Sequence, residues 1–226
     1  MFKDRIDAGQ RLGEALKKLQ IQDGIVIAVP RGGVVVGAQV AQILDIPLDI
    51  IIPKKVGAPQ NPEVAVGAVT EDGTVIYNEN LLSRLDLSEE DLAPTVKKII
   101  SEIKRRMKSY RGTGKPPALE GRHVILVDDG IATGSTIIAA LRSIKNSGCK
   151  AVTLAIPVAP PDTVERLEKE VDHLVCLVSE EPFYAVGQFY RNFNQIRDDE
   201  VISIFKGYKH ILENVGAAQD ASKPLI

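Results

Sequence analysis

Short apolar runs recur along the chain, each closed by small or charged residues. Residues 25–29, 48–52, 124–127, 151–158 and 173–178 read as buried strands, being short, rich in Val and Ile, and bounded by turn residues. Between them the apolar period lengthens to that of a helix. The spacing predicts helices over 7–19 (Leu12, Ala15, Leu16, Leu19, with Asp7 and Gln10 at capping-box spacing) and through Val36, Val40 and Ile43. It predicts others through Ile137, Leu141 and Ile144, ending at Ser147-Gly148, and from Asp162 and Glu165 to Glu170. Asp198 can cap a last helix through Val201, Phe205 and Leu212. Strands alternating with helices predict an α/β fold, a doubly wound, mainly parallel five-stranded sheet. Residues 58–120 interrupt the alternation as an insertion. Pro59 and Pro62 break structure, 64–69 and 74–77 form a hairpin around Glu71-Asp72-Gly73, and a long helix carries Leu92, Val96, Ile99, Ile103, Met107 and Tyr110. Pro94 marks that helix's start or a kink, and 111–117 reads as a flexible basic linker. The whole is one domain over 1–215, with a C-terminal element at 179–215 and a loose tail at 216–226.

Candidate chemistry gathers where the strands end. Val124 to Val127 run into Asp128 and Asp129, and a strand core gains nothing from two adjacent carboxylates. They belong at the carboxyl edge, where open α/β sheets bind ligands. Gly130, Ile131, Ala132, Thr133, Gly134, Ser135 and Thr136 follow, a loop of mostly small residues opening a helix. Small residues let backbone N–H groups approach an anion, the helix adds unsatisfied N–H groups and a positive dipole end, and the hydroxyls add donors. A P-loop would need a lysine before the hydroxyl residue, and a dinucleotide fingerprint its three-glycine spacing; neither is present. Two carboxylates for vicinal hydroxyls beside a phosphate cradle suit a ribose 5-phosphate. A second strand–small-loop–helix unit carries Pro30-Arg31-Gly32-Gly33, and a third strand leads to Pro53-Lys54-Lys55-Val56-Gly57. Lys54 and Lys55 are read either as charge for an anionic group or as two solvated lysines. Of ten aromatic residues, five stand within eleven positions after the last strand: Phe183, Tyr184, Phe189, Tyr190 and Phe193. Phe183 or Tyr184 could stack on a flat base, or the cluster could pack a terminal helix or a dimer surface.

Composition narrows the classes. A net charge of −2 gives no general reason to expect nucleic acid, and Lys97, Lys98, Lys104, Arg105, Arg106 and Lys108 read as a solvated helix face. Cys149 and Cys176 lack metal spacing, and the three histidines are scattered. No apolar run approaches the ~18 residues of a membrane span. A reduced, cytoplasmic enzyme with no membrane partner is the plain expectation.

The string Val124-Ile-Leu-Val-Asp-Asp-Gly-Ile-Ala-Thr-Gly-Ser-Thr136 resembles the 5-phosphoribosyl-1-pyrophosphate (PRPP) signature of the type I phosphoribosyltransferases, with every position of the pattern filled. Together with Phe2-Lys-Asp-Arg-Ile-Asp-Ala-Gly9, Pro-Arg-Gly-Gly, Pro-Lys-Lys-Val-Gly and Val-Gly-Gln-Phe-Tyr190, it resembles a group of such enzymes of unassigned substrate along nearly the whole chain. The resemblance implies transfer of phosphoribosyl from PRPP to a nitrogenous acceptor such as a nucleobase, with release of pyrophosphate. It implies that Asp128 and Asp129 hold the ribose, 130–136 the 5-phosphate, and Arg31, Gly32 and Gly33 the pyrophosphate, with Lys54 or Lys55 supporting the leaving group. Mg²⁺ would arrive through the ligand's oxygens and lie near Asp128 and Asp129. Residues 179–215 would form a hood with Phe183 or Tyr184 on the base, and the protein would be a homodimer. Family members often carry a mobile loop before the signature; here the insertion is longer, and Arg111 and Lys115 are its cations. Other readings are a PRPP-binding regulatory protein that has lost catalysis, and a hydrolase releasing pyrophosphate to water.

Overall fold

The computed structural model describes residues 1–112 and 116–208. Its helices and strands in chain order are α1 (Arg5–Leu16), β1 (Gly24–Ala28), α2 (Gly32–Leu44), β2 (Leu48–Ile50), β3 (Lys54–Ala58), β4 (Asn61–Val69), β5 (Val75–Tyr77), α3 (Glu79–Leu85), α4 (Glu89–Arg111), β6 (His123–Val127), α5 (Ser135–Asn146), β7 (Ala151–Val158), α6 (Pro161–Glu168), β8 (His173–Val178) and α7 (residues 198–208). Five strands form one parallel sheet in the order β2-β1-β6-β7-β8. The chain first steps one way, from β1 to β2, and later returns to the other side of β1 with β6. The crevice between β1 and β6 is therefore the topological switch point, where ligands of such sheets bind beyond the strands' carboxyl ends.

Apolar residues on alternate positions serve the two faces. Val26, Ala28, Ile125 and Val127 face Leu12 and Leu16 of α1 and Val36 and Val40 of α2. Ile25, Ile27, Val124 and Leu126 face Ile137, Leu141 and Ile144 of α5 and Leu167 of α6. A strand buried on both faces reads as a continuous apolar run, which explains why these strands were visible in the sequence.

The insertion differs from the sequence reading in three ways. Residues 54–58, read as a loop after the second strand, are β3, which pairs antiparallel with β4 in a separate sheet of order β3-β4-β5. Only Val56 and Ala58 are buried there, so a lysine pair and a glycine conceal the alternation. A short helix, α3, capped by Asn78, precedes the long one. The long helix α4 begins at Glu89 behind a Ser88–Asp91 capping box, so Pro94 sits inside it on an exposed face, and Leu92, Val96, Ile103, Met107 and Tyr110 are buried as the spacing predicts.

Caps also differ. Asp4, not Asp7, caps α1, accepting from the Asp7 amide, and the helix yields to a 3₁₀ turn at Lys17. Asp198 does not cap α7: the Val201 amide bonds to the Arg197 carbonyl, while Asp198 accepts the Tyr110 hydroxyl at 2.5 Å. Lys115, Leu212 and the 216–226 tail lie outside the described residues.

Arg111 belongs to α4 and not to a linker. Its guanidinium meets Asp49 of β2 through two bonds, 3.2 and 2.9 Å, with Glu71 3.8 Å away. Both partners are nearly covered, side chains 10% and 6% exposed, so the pair is a structural tie from the insertion to the sheet edge. Arg111→Met would withdraw the bidentate cation from a desolvated carboxylate, and a loss of about 3–5 kcal/mol of unfolding free energy is expected. Urea denaturation of the variant checks this; a loss below about 1 kcal/mol, the scale of an exposed ion pair, would contradict it.

Candidate functional site

Two short loops and two helix N-termini converge at the β1–β6 crevice. After β1 the chain passes Pro30 and Arg31, whose peptide bond is cis, and enters α2 at Gly32. After β6 it passes Asp128 and Asp129 and enters α5 at Ser135. The loops nearly touch. A Cβ on Gly32 would lie 1.8 Å from Asp129 Oδ2, and one on Gly33 would lie 2.9 Å from both Asp128 Cα and Oδ1. Gly32 and Gly33 are glycines because the carboxylates occupy the space a side chain would need. The residues assigned from sequence to pyrophosphate and to ribose are thus in van der Waals reach of each other. Of the third loop, Thr133 and Ser135 are exposed, Ile131 is buried as an anchor, and Gly134 takes φ +70° as α5's N-cap.

The two carboxylates are not equivalent. Asp129 Oδ2 accepts from Arg5 Nε at 2.7 Å, and Arg5 is 8% exposed. Arg5 Nη1 also donates to the Asn194 carbonyl, and its guanidinium lies 3.8 Å from the centre of the Phe193 ring. The Tyr190 hydroxyl donates to the Asp129 carbonyl at 2.5 Å, and burial raises the Tyr190 hydroxyl pKa. Asp128 Oδ1 accepts from the Asp129 amide at 2.8 Å. Burial first, and the negative charge of Asp129 second, push the Asp128 carboxyl well above the usual carboxylate range, while Arg5 opposes the shift only weakly.

Arg5, Tyr190 and Asn194 were not singled out from sequence. The string 2–9 was noticed as a resemblance, but no local pattern reports a contact spanning 124 residues. The N-terminal segment reaches the hood by a short ladder: the Phe2 amide bonds to Phe189 O, Arg191 to Phe2 O and Asn192 to Lys3 O.

The other assigned residues are distributed around this centre. Arg31 Nη1 stands 3.9 Å from Asp198, which also holds Arg106 at 3.1 Å and the Tyr110 hydroxyl. That hydroxyl and Arg106 keep the Asp198 carboxyl below its ordinary range, while burial and the same bond push Tyr110 up to about 12. Lys54 pairs with Glu102 of α4 at 2.6 Å, one helical turn from Arg106, so Lys54 and Arg31 lie along one ridge of α4. Alternation along β3 sends Lys55 to the opposite face, exposed. Phe183 packs on Phe189 with ring centres 5.2 Å apart, whereas Tyr184 is 85% exposed. The hood leans on the loop through Val186, whose Cγ1 would be 2.5 Å from a Cβ at Gly130. Among the described residues, no group of three or more His, Cys, Asp or Glu is placed to hold a metal, and no helix is long and apolar enough to cross a membrane.

A carboxyl whose folded pKa is raised lowers stability above that pKa, because the folded state resists the ionisation that the unfolded chain allows. The penalty disappears as pH falls through the folded pKa toward the unfolded value of about 3.9. Asp128→Asn keeps the Asp129 amide's acceptor and removes the charge. It is expected to melt above the parent at pH 8, by about 2–4 °C for each kcal/mol relieved, with the gap narrowing toward acid pH. Melting curves across pH 5–8 check this, and a variant less stable than the parent at pH 8 would refute it.

A family model described as a phosphoribosyl transferase domain matches residues 7–194. A putative phosphoribosyl transferase of Mycobacterium tuberculosis is 38% identical over 224 residues, covering 99% of this chain and 51% of that protein. The chain therefore spans about half the length of the curated relatives it matches over its whole extent. The crystal structure of TT1426 from Thermus thermophilus superposes with a TM-score of 0.80 at 38% identity, covering 92% of this chain and 98% of that one. A uracil phosphoribosyltransferase of Streptomyces griseus is 39% identical over 59 residues, 26% of this chain and 28% of its own. The family match over most of the chain, the full-length relative and the shared fold agree with the site's geometry: the chain belongs to the phosphoribosyl transferase domain family.

Proposed function

We propose that the protein transfers the 5-phosphoribosyl group of PRPP to a nitrogenous acceptor, a nucleobase, releasing pyrophosphate. The observation that carries this reading is the contact of Gly32 and Gly33 with Asp129 and Asp128 at the switch point. A ligand with a diphosphate on one carbon and hydroxyls on the next two needs those two binding surfaces side by side. The α5 N-terminus and the 130–136 loop then take the 5-phosphate at the ligand's other end.

In the reaction, the acceptor nitrogen bonds to C1′ as the C1′–O bond to pyrophosphate breaks, and positive character develops on the ribose ring. Asp129, fixed by Arg5, is a pre-oriented acceptor for a ribose hydroxyl. Asp128 enters with a raised pKa, and positive charge arising beside it is the change that favours its ionisation. The groups are already in place when charge develops, which is the source of electrostatic catalysis. Arg31 and the N–H groups opening α2 face the departing pyrophosphate, with Lys54 on the same side. Mg²⁺, held by the ligand's oxygens and by water, would neutralise the leaving group. With Asp129 occupied by Arg5, Asp128 is the carboxylate left to meet that hydrated cation. Exposed Tyr184, beside the Val186 contact with the loop, would offer a ring to the acceptor base, and the local similarity to uracil phosphoribosyltransferases supports a base as acceptor.

A catalytically silent PRPP-binding protein is the second reading, favoured by the engagement of Lys54 with Glu102 and of Arg31 with Asp198.

One assay separates them: pyrophosphate release from PRPP and Mg²⁺ with a panel of purines, pyrimidines and nicotinate-like acceptors. Acceptor-dependent release is expected, slowed at least ~10²-fold by Asp128→Asn with Asp129→Asn, the scale of losing dedicated electrostatic contacts. Saturable PRPP binding without release from any acceptor would support the silent reading. Thr133→Val is expected to weaken PRPP binding by about 1–3 kcal/mol through a lost phosphate contact. Calorimetry reads this, and unchanged affinity would remove Thr133 from the cradle.

A further inference from the structure

A phosphate cradle made of backbone depends on which way its peptide groups face. In a trans peptide the C=O and the following N–H point in opposite directions, so holding the carbonyl aims the amide. The 132–133 and 133–134 peptides are both trans. Each has its carbonyl held from outside the loop by a side chain of α6. Thr163 Oγ1 donates to the Ala132 carbonyl at 2.9 Å, and Arg166 Nη2 donates to the Thr133 carbonyl. Thr163 and Arg166 are three residues apart, on one face of α6. Thr163 is 3% exposed, one of few buried polar side chains in the described chain, and the Arg166 guanidinium lies 3.3 Å from where a Cβ of Gly134 would stand.

The amides on the other ends of these peptides are those of Thr133 and Gly134. With both carbonyls drawn toward α6, both N–H groups turn away from it. Among the described residues neither donates a hydrogen bond to the protein. Two adjacent amides, aimed alike and left without acceptors at the N-terminus of a twelve-residue helix, are donors awaiting an anion.

We infer that Thr163 and Arg166 are positioning residues: by holding the carbonyls of Ala132 and Thr133, they aim the Thr133 and Gly134 amides at the 5-phosphate. Thr163 acts only through the loop, since its hydroxyl is buried and committed to Ala132. Arg166 also places positive charge behind the cradle. Holding the peptides in advance removes the ordering that a free loop would undergo on binding. The inference rests on the proposed reading of 130–136 as the phosphate loop.

The test measures binding of two probes by calorimetry, ribose 5-phosphate for this cradle and inorganic pyrophosphate for the 30–33 loop. The variants are Thr163→Val, Thr163→Ser and Arg166→Met, with melting curves alongside. Thr163→Val is expected to weaken ribose 5-phosphate about 5–10-fold, the effect of one net hydrogen bond, and to leave pyrophosphate within about twofold. Thr163→Ser should restore the parent value, and Arg166→Met, altered at the surface and so free of any core defect, should show the same selective loss. In turnover, the KM for PRPP should rise while kcat at saturation holds. Parent-like ribose 5-phosphate affinity in both Thr163→Val and Arg166→Met would overturn the inference. So would an equal loss for both probes, or failure of serine to rescue. If the parent itself does not saturate with ribose 5-phosphate, the phosphate-loop reading falls and the inference with it.

Discussion

Two carboxylates in sequence at the end of a buried strand cannot both be ionised without help, and the help comes from Arg5. Its guanidinium reaches Asp129 at 2.7 Å from the first turn of α1. To stand there it must itself be covered, and the cover is the aromatic hood: Phe193 over its face and the Asn194 carbonyl on its edge. The hood is held against the N-terminal segment by the Phe2–Tyr190 bridge and its flanking bonds. The start and end of the chain are thus tied together across the signature loop. An unpaired buried charge is the alternative, and its desolvation would outweigh several ordinary contacts. The asymmetry also divides the labour of the pair, with Asp129 fixed as an acceptor and Asp128 left sensitive to charge arriving beside it.

The same logic of committed partners runs through the phosphate side. The loop carries no side-chain cation of its own, so its affinity for an anion must come from amides, and amides bind anions only when their directions agree. The sheet order supplies the position, because the switch point opens a crevice between β1 and β6 into which α2 and α5 both point their N-termini. Position alone does not aim a peptide, and α6, packed beyond the loop, is the element whose polar side chains touch the loop carbonyls.

Much of this was legible in the chain. The strands β1, β6, β7 and β8 are apolar on both faces and bounded by turn residues, so their runs stood out, and with them the carboxyl-edge loops. The signature was legible because its chemistry is local, with carboxylates, small residues and hydroxyls consecutive along the chain. What was hidden was made of distant partners. The Lys54–Ala58 strand shows only two buried side chains, and its pairing is set by β4. Arg111 reads as a linker cation until Asp49, 62 residues earlier, is seen beside it. Asp198 looks like a helix cap and is instead the acceptor of a tyrosine 88 residues away. Ion pairs and hydrogen bonds across the fold leave no period in a sequence, and single charged residues resemble solvated ones until burial is known.

The engaged cations need not argue against anion binding. Lys54 with Glu102 and Arg31 with Asp198 are partly solvent-exposed pairs, the second at 3.9 Å. Such pairs are worth about 0–1 kcal/mol, because water competes for both partners. A charge-assisted contact to a phosphate oxygen is roughly twice as strong as a neutral hydrogen bond, and a pyrophosphate carries more charge than a single carboxylate. On the proposed reading, exchange of Glu102 and Asp198 for pyrophosphate is therefore downhill for both cations. Before ligand arrives, the carboxylates keep Lys54 and Arg31 extended along α4, so less side-chain freedom remains to be lost on binding. Glu102 lies on the insertion helix and Asp198 on α7, and Arg106 and Tyr110 tie Asp198 back to α4. The insertion thus bears on the chemistry through the orientation of two cations, a role its basic surface alone did not suggest.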